Sequence, residues 1–234
     1  TREMVAAANN FEVEAGFRLL TAGGNAVDAG VASVLTAAVT EQAPFGLGGE
    51  MPLLLKMQGK PVIAISGIGT APKLATMDAY RDRAMEPWEK PDRMPPIPMQ
   101  GINAAILPGA MSGLLLALEE HGTKSFAEVA APAIEYADGF PIGEEFVSFI
   151  RNGQEVLEGW PASREVFLPS GSVPKRGEIF REPTLAKTLR TMVQVEKKAR
   201  GNRAKKLRAV HDYFYKGDLA RSIAEFSEAN GGYI

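Results

Sequence analysis

Two histidines, His121 and His211, and no cysteine are the whole stock of imidazole and thiol in this 234-residue chain. A thiolate nucleophile, a thiolate zinc site and a disulfide are therefore excluded. A histidine-based triad or a multi-histidine metal site is hard to assemble from the chain alone. The carboxylates Glu12, Glu14, Asp28, Glu41 and Glu50 are scattered, and their spacing suggests no metal cluster. Glu41 and Glu50 flank the turn "EQAPFGLGGE" and read as cap or turn partners, with a place for one of them near the site as the alternative. Neither a metal nor a cofactor is expected.

Glycines are the other candidates, because a backbone without Cβ can turn tightly or approach a ligand closely. "TAGGNAVDAG" (21–30), "GLGG" (46–49) and "GIG" (67–69) stand out. A dinucleotide fingerprint needs G-x-G-x-x-G between a strand and a helix. Gly46-Leu47-Gly48-Gly49 precedes a strand, and Gly67-Ile68-Gly69 lacks the third glycine because position 72 is proline. The nucleotide reading fails. "GGNAVD" reads instead as one helix stop joined to one helix start. Asn25 is placed to cap the second helix, with Asp28 three residues on as its capping-box partner.

The elements that must hold these segments follow from periodicity. Residues 11–22 read as an amphipathic helix with Val13, Phe17 and Leu20 on one face, Asn10 at its start and Gly23–Gly24 at its end. A second helix from Ala26 to about Val39 is small and apolar nearly all round, as in a helix buried on most faces. "PLLLKM" (52–57) and "PVIAIS" (61–66) read as two strands joined by a tight turn. A helix is expected from near Pro72 through Tyr80, and a surface loop over the proline-dense 86–99. "LPGAMSGLLLALEEHG" reads as a loop entering a helix that Gly122 ends. Helical stretches follow at 125–140, broken or kinked at Pro132, and at 181–199 and 217–232. Seven basic residues lie between Lys197 and Arg208. Without interleaved aromatics they read as a solvated helix face or an exposed connection.

Apolar residues make up 45% and charged residues 23% of the chain, in the range of ordinary globular proteins. The formal net charge of −2 predicts no attraction to nucleic acid or to an anionic membrane, so neither is expected as a partner. No run of 18 apolar residues suggests a transmembrane helix, and "TREMVAAANN" has no apolar signal-peptide core. A cytoplasmic and a periplasmic or secreted location both fit.

Six collinear segments together resemble the large-subunit portion of the gamma-glutamyltranspeptidase family. "AGFRLLTAGGNAVDAGVASVLTAAVTEQAPFGLGGE" is similar to its opening helix pair and glycine-rich turn, and "GTAPKLAT" to its A-P loop. "LPGAMSGLLLALEEHG" and "APAIEYADGFPI" are similar to its P-G-x-x-x-G helix and P-A-I segment. "REPTLAKTLR" and "YFYKGDLARSIAEFSEANGG" resemble its L-A-x-T-L and F-Y-x-G-x-x-A helices. The resemblance implies an α+β fold, the αββα sandwich of N-terminal-nucleophile hydrolases. This chain, residues 1–234 as a single domain, would contribute helices and part of the sheets. It further implies a zymogen that cleaves itself into a heterodimer and acts by amide hydrolysis or acyl transfer through an acyl-enzyme. The nucleophile would be the N-terminal Thr of a small subunit from the same precursor. No catalytic residue is then expected in this chain. Thr1 belongs to a segment resembling the start of the large subunit, not the Thr-led start of the small one.

The sequence departs from the pattern at one position that matters. In glutamyl-processing members of the family an Arg three residues before the A-P pair holds the substrate α-carboxylate, a task suited to a guanidinium fork. Here the pair is Ala71–Pro72, and Ile68 stands three residues earlier. Ser66, Gly67, Ile68 and Gly69 would line a more apolar acyl pocket, and a small amide other than a standard gamma-glutamyl compound is the expected substrate. Arg81 and Arg83, on the following helix, read as surface charges, and Asn9–Asn10 replace a His-Pro found in many members, a change read as structural. Two alternatives stay open: a true gamma-glutamyltransferase or glutathione hydrolase with a displaced carboxylate-binding Arg, and a catalytically silent homologue.

Overall fold

The computed structural model describes residues 3–41, 45–86, 88–89 and 97–234. Thr1 and most of the proline-dense 86–99 segment lie outside the described residues. The first helix, α1 (Asn10–Thr21), is capped by Asn9 rather than Asn10: the Asn9 side-chain oxygen accepts the N–H groups of Phe11 and Glu12. The Asn9 amide donates to Glu12, Thr40 and Glu41, so this residue also ties α1 to the end of the next helix. Gly23 adopts φ +79°, and the Gly24 N–H returns to the Leu19 carbonyl, which ends α1.

The second helix, α2 (Ala26–Thr40), opens with the expected capping box between Asn25 and Asp28. Asp28 does more than cap. It is fully buried, and its carboxylate accepts from the Asn25 N–H, the Thr123 N–H and hydroxyl, and the Lys124 N–H. Burial alone raises its pKa. The hydrogen bonds, led by the Thr123 hydroxyl, outweigh that and hold the carboxyl below its ordinary value. Asn25 adds a bond to the His121 carbonyl. The "GGNAVD" segment is therefore both a helix junction and the anchor of a loop almost 100 residues further on.

A two-stranded antiparallel hairpin follows, β1 (Met51–Lys56) and β2 (Val62–Gly67), with Met51 opposite Gly67 and Lys56 opposite Val62. Its inner face sends Met51, Leu55 and Ile65 into the core. Its outer face carries Pro52, Leu54, Lys56, Val62, Ala64 and Ser66, all exposed, with Leu54 74% accessible. Four of these six residues, Pro52, Leu54, Val62 and Ala64, are apolar and open to solvent.

Next comes α3 (Met77–Asp82), which begins later than expected. The Thr76 hydroxyl caps it by accepting the Ala79 N–H, whereas Pro72 opens only a turn closed by the Ala75 N–H. A 3-10 turn at Ile102–Ala104 leads to α4 (Ala110–His121) and α5 (Phe126–Asp138). The latter runs unbroken through Pro132, whose ring is buried, because α2 and α9 pack against it. A two-residue pairing joins β3 (Phe140–Pro141) to β4 (Ile179–Phe180). Between them lie three short helices absent from the sequence expectation: α6 (Glu144–Asn152), α7 (Gln154–Gly159) and α8 (Pro161–Phe167). The chain closes with α9 (Pro183–Lys198), α10 (Arg203–Lys216) and α11 (Asp218–Ala229).

One core runs from α1 and α2 through α4, α5, α9 and α10, with Leu35, Met111, Leu114, Phe126, Leu189 and Met192 fully buried. Each such side chain stabilises the fold by about 1.5–3 kcal/mol through loss of apolar contact with water. Two polar devices align the helices. The buried Glu196 carboxylate accepts the N–H groups of Phe126 and Ala127 and so caps α5 from α9. Arg203 donates to the Leu118 and Glu119 carbonyls, capping the end of α4, and Arg208 pairs with Glu119. Part of the basic run thus serves the fold.

Candidate functional site

Three glycine segments that are far apart in sequence meet at the start of α4. The Gly49 carbonyl accepts the N–H groups of Gly109 and Ala110 at 3.1 and 3.0 Å, so the 46–50 turn caps α4 from outside. The Leu107 N–H donates to the Thr70 carbonyl at 3.0 Å, which lays the loop after β2 along the approach to α4. None of Gly49, Gly67, Gly69 and Gly109 has positive φ. Glycine is needed here for closeness, not for an unusual backbone conformation. A Cβ on Gly69 would overlap the Leu107 carbonyl oxygen, and one on Gly67 the Met51 carbonyl oxygen. A Cβ on Gly109 would lie 2.5 Å from the Gly67 oxygen, the Gly69 nitrogen and the Ile68 carbonyl carbon.

The sequence-expected pocket residues sit on this platform. Gly67 is buried and Gly69 half-buried against α4, whereas Ser66 and Ile68 alternate outward, with Ile68 51% exposed. The loop therefore presents a hydroxyl and a hydrocarbon on the same side as the bare outer face of the hairpin. A cavity of about 960 Å³ opens beside the 46–50 turn, bordered by Glu50, Pro52, Pro108, Glu182 and Phe214. Ser66–Gly69 do not line it.

Neither basic residue of the following helix region is placed to replace a guanidinium at Ile68. Arg81 is exposed and pairs with Asp78 at 2.8 Å. Arg83 is not a surface charge. Its side chain is only 2% accessible, and it grips Glu89 with two bonds of 2.7 and 2.5 Å. The Arg83 guanidinium holds the Glu89 carboxyl below the ordinary carboxylate range.

Glu41 closes α2 and accepts from Asn9 at 3.2 Å, a structural role. The neighbouring Glu12 is buried and pushed up to about 7, first by loss of hydration and then by the Glu41 charge. Ser112, His211 and Asp212 come together in a way their sequence positions do not suggest. The Ser112 hydroxyl lies 3.4 Å from the His211 Nε2, and the His211 Nδ1 3.4 Å from Asp212. Both contacts are at the outer limit of a hydrogen bond, Asp212 is also held by Lys216 at 2.9 Å, and Ser112 lines none of the described cavities. Among the described residues no group of three or more His, Cys, Asp or Glu could hold a metal ion, and no helix is long and apolar enough to cross a membrane. Sequence reasoning missed the contributions of Gly49, of Gly109, and of Tyr215, whose hydroxyl accepts the Ser112 N–H and donates to the Pro108 carbonyl. The first two lie in glycine motifs and the third in "FYKG", so the signal was present without its partners.

A family model described as Gamma-glutamyltranspeptidase matches residues 13–234. The chain is 31% identical to the glutathione hydrolase-like YwrD proenzyme of Bacillus subtilis (strain 168), covering 100% of this chain and 40% of that protein. It is also 31% identical to the acylase ACY 1 proenzyme of Pseudomonas sp. (strain V22), with the same coverage. Among solved structures, the gamma-glutamyltranspeptidase from Pseudomonas nitroreducens complexed with L-DON superposes with a TM-score of 0.77 at 27% identity, covering 99% of this chain and 62% of that one. The chain thus spans 40% of the length of these two curated relatives.

Proposed function

The chain belongs to the gamma-glutamyltranspeptidase family, and from that premise we infer that it is the large-subunit part of a self-cleaving acyl hydrolase or acyltransferase whose substrate is a small amide other than a standard gamma-glutamyl compound. The fold is α+β like that of its N-terminal-nucleophile hydrolase neighbours, and in this reading the chain supplies helices and part of the sheets of an αββα sandwich. The partner is a small subunit from the same precursor. Its strands cover the exposed face of Pro52, Leu54, Val62 and Ala64, and its N-terminal Thr stands beside the 66–69 loop.

In this reading the Thr hydroxyl oxygen attacks the substrate carbonyl carbon while the α-amino group of the same residue takes the hydroxyl proton. The C–N bond breaks, the amine departs with that proton, and water or an acceptor amine releases the acyl group. This chain's part is to shape the acyl side. Gly67 and Gly69 bring the backbone close, and Ile68 presents hydrocarbon where a carboxylate-binding Arg stands in glutamyl-processing relatives.

The observation that carries the specificity is the exposed Ile68, with Arg81 and Arg83 both committed to acidic partners. Truncating one partner of a desolvated charge pair costs on the order of 2–5 kcal/mol. The protein assembled with its small subunit is therefore expected to favour a simple acyl anilide over a gamma-glutamyl anilide. Ile68→Arg should raise kcat/KM for the gamma-glutamyl donor by about 10–100-fold, a part of that lost energy. Equal turnover of both donors by the parent, with no gain in Ile68→Arg, would overturn the reading. That outcome would favour gamma-glutamyl transfer with the cation supplied by the small subunit. The name of the Bacillus subtilis relative, glutathione hydrolase-like, speaks for that second reading.

A further inference from the structure

The first turn of α4 carries the platform for the 66–69 loop, yet the helix has no cap of its own. Gly109, at its N-cap position, has no side chain to accept a first-turn N–H. Tyr215 of α10 fills that vacancy from across the fold. Its hydroxyl accepts the Ser112 N–H at 2.9 Å and donates to the Pro108 carbonyl at 2.9 Å. One phenol thus closes both ends of the Pro108–Ser112 turn. The ring is itself held, against Phe214 with centroids 4.8 Å apart and against His211 at 4.7 Å. Between Pro108 and Ser112 lies Gly109, which leaves no room for even a methyl group against Gly67, Ile68 and Gly69. Any drift of the turn therefore moves the loop.

We propose that Tyr215 is a positioning residue for the acyl pocket, fixing the start of α4 and through Gly109 the placement of Ser66–Gly69. The proposal rests on the reading of that loop as the pocket wall. It gives a task to the "FYKG" segment, which no step of the chemistry uses. Burial pushes the Tyr215 phenol up from its ordinary value, so it keeps its proton, and its place as donor to Pro108, through neutral and mildly alkaline solution.

The test is Tyr215→Phe, which keeps the ring and deletes the hydroxyl, made in the chain assembled with its small subunit. Amide hydrogen exchange at Ser112, Ile68 and Gly69 should accelerate by about 5–10-fold, the value of one or two ordinary hydrogen bonds. KM for the acyl donor should rise by about 5-fold, with kcat changed by less than about twofold. Tyr136→Phe removes a hydroxyl that donates to Glu14 on the α1–α5 face and should leave both readouts at the parent value. Unchanged exchange at the loop overturns the proposal, and so does faster exchange with KM unmoved. If the parent protein turns over no acyl donor, the functional reading fails instead, and the exchange result decides by itself whether Tyr215 holds the loop.

Discussion

Replacing Gly109 by alanine is expected to lower kcat/KM for every acyl donor by about 100-fold, because a displacement near 1 Å at a reacting site costs on that order. The backbone raises no objection to the change: Gly109 sits at φ −104°, ψ −28°, which alanine adopts freely. The effect is steric. The added methyl carbon would lie 2.5 Å from three backbone atoms of residues 67–69, and backbone cannot rotate away as a flexible side chain does. The loop and the start of α4 must separate, which breaks the fit of the 46–50 turn as well, since the Gly49 carbonyl binds the Gly109 N–H. Overpacking of this kind costs about 1–3 kcal/mol of stability. Steady-state kinetics and a thermal melt on the same sample check both parts. Alanine at Gly30, where an added Cβ meets nothing within 4 Å, is the control and should leave activity unchanged.

Asp28→Ala should be the most destabilising single change in α2. The carboxylate accepts four hydrogen bonds at a fully buried position, three of them from backbone N–H groups. Removing it takes the shared acceptor from four donors on half-buried or exposed residues, at about 1 kcal/mol each, for a total of roughly 3–5 kcal/mol. In a chain of this size that lowers the melting temperature by about 10 °C. The loss also has a pH signature. Because Asp28 is held below its ordinary value, the folded state binds its proton less tightly than the unfolded chain does. Its contribution is complete above about pH 4 and drains away as the pH falls through the lowered folded value. The variant should therefore be much less stable than the parent at neutral pH and approach it in acid. Denaturant melts across pH 2–7 (about the span of carboxylate titration) check this. A gap between the two proteins that stays constant with pH would contradict it.

Much of the front of the molecule was legible because local physics decides it. Asn25 and Asp28 spell a capping box, the small apolar residues of α2 announce burial, and the alternation in 51–67 with its polar turn gives the hairpin. The same local logic placed the first cap one residue late, since Asn9 and Asn10 are alike in type and only Asn9 reaches Thr40 and Glu41. The helices α6–α8 were not read, although Phe146, Val147 and Ile150 do fall at helical spacing. They are short and interrupted by Gly153, Gly159 and Pro161, only α6 has buried residues, and the packing of its Phe146 on Phe180 is a tertiary fact. The glycines of the candidate site are visible in the sequence, and their arrangement is not. Glycines at 49, 67, 69 and 109 look like turn-formers in sequence, and nothing local says that they exist to touch one another. Arg83 shows the same limit from the opposite side. Its charge and spacing suggest a surface residue, whereas its partner Glu89 draws it inside.

In the proposed reading the reactive hydroxyl belongs to a companion fragment, and this chain only shapes the acyl side. The most direct measurement is intact-mass spectrometry of the assembled protein after brief reaction with a slowly released acyl donor, followed by fragmentation of whichever subunit gains mass. One acyl group should appear on the N-terminal Thr of the small subunit, with this chain at its unmodified mass. An acyl group on this chain, at Ser112 beside His211 above all, would contradict it.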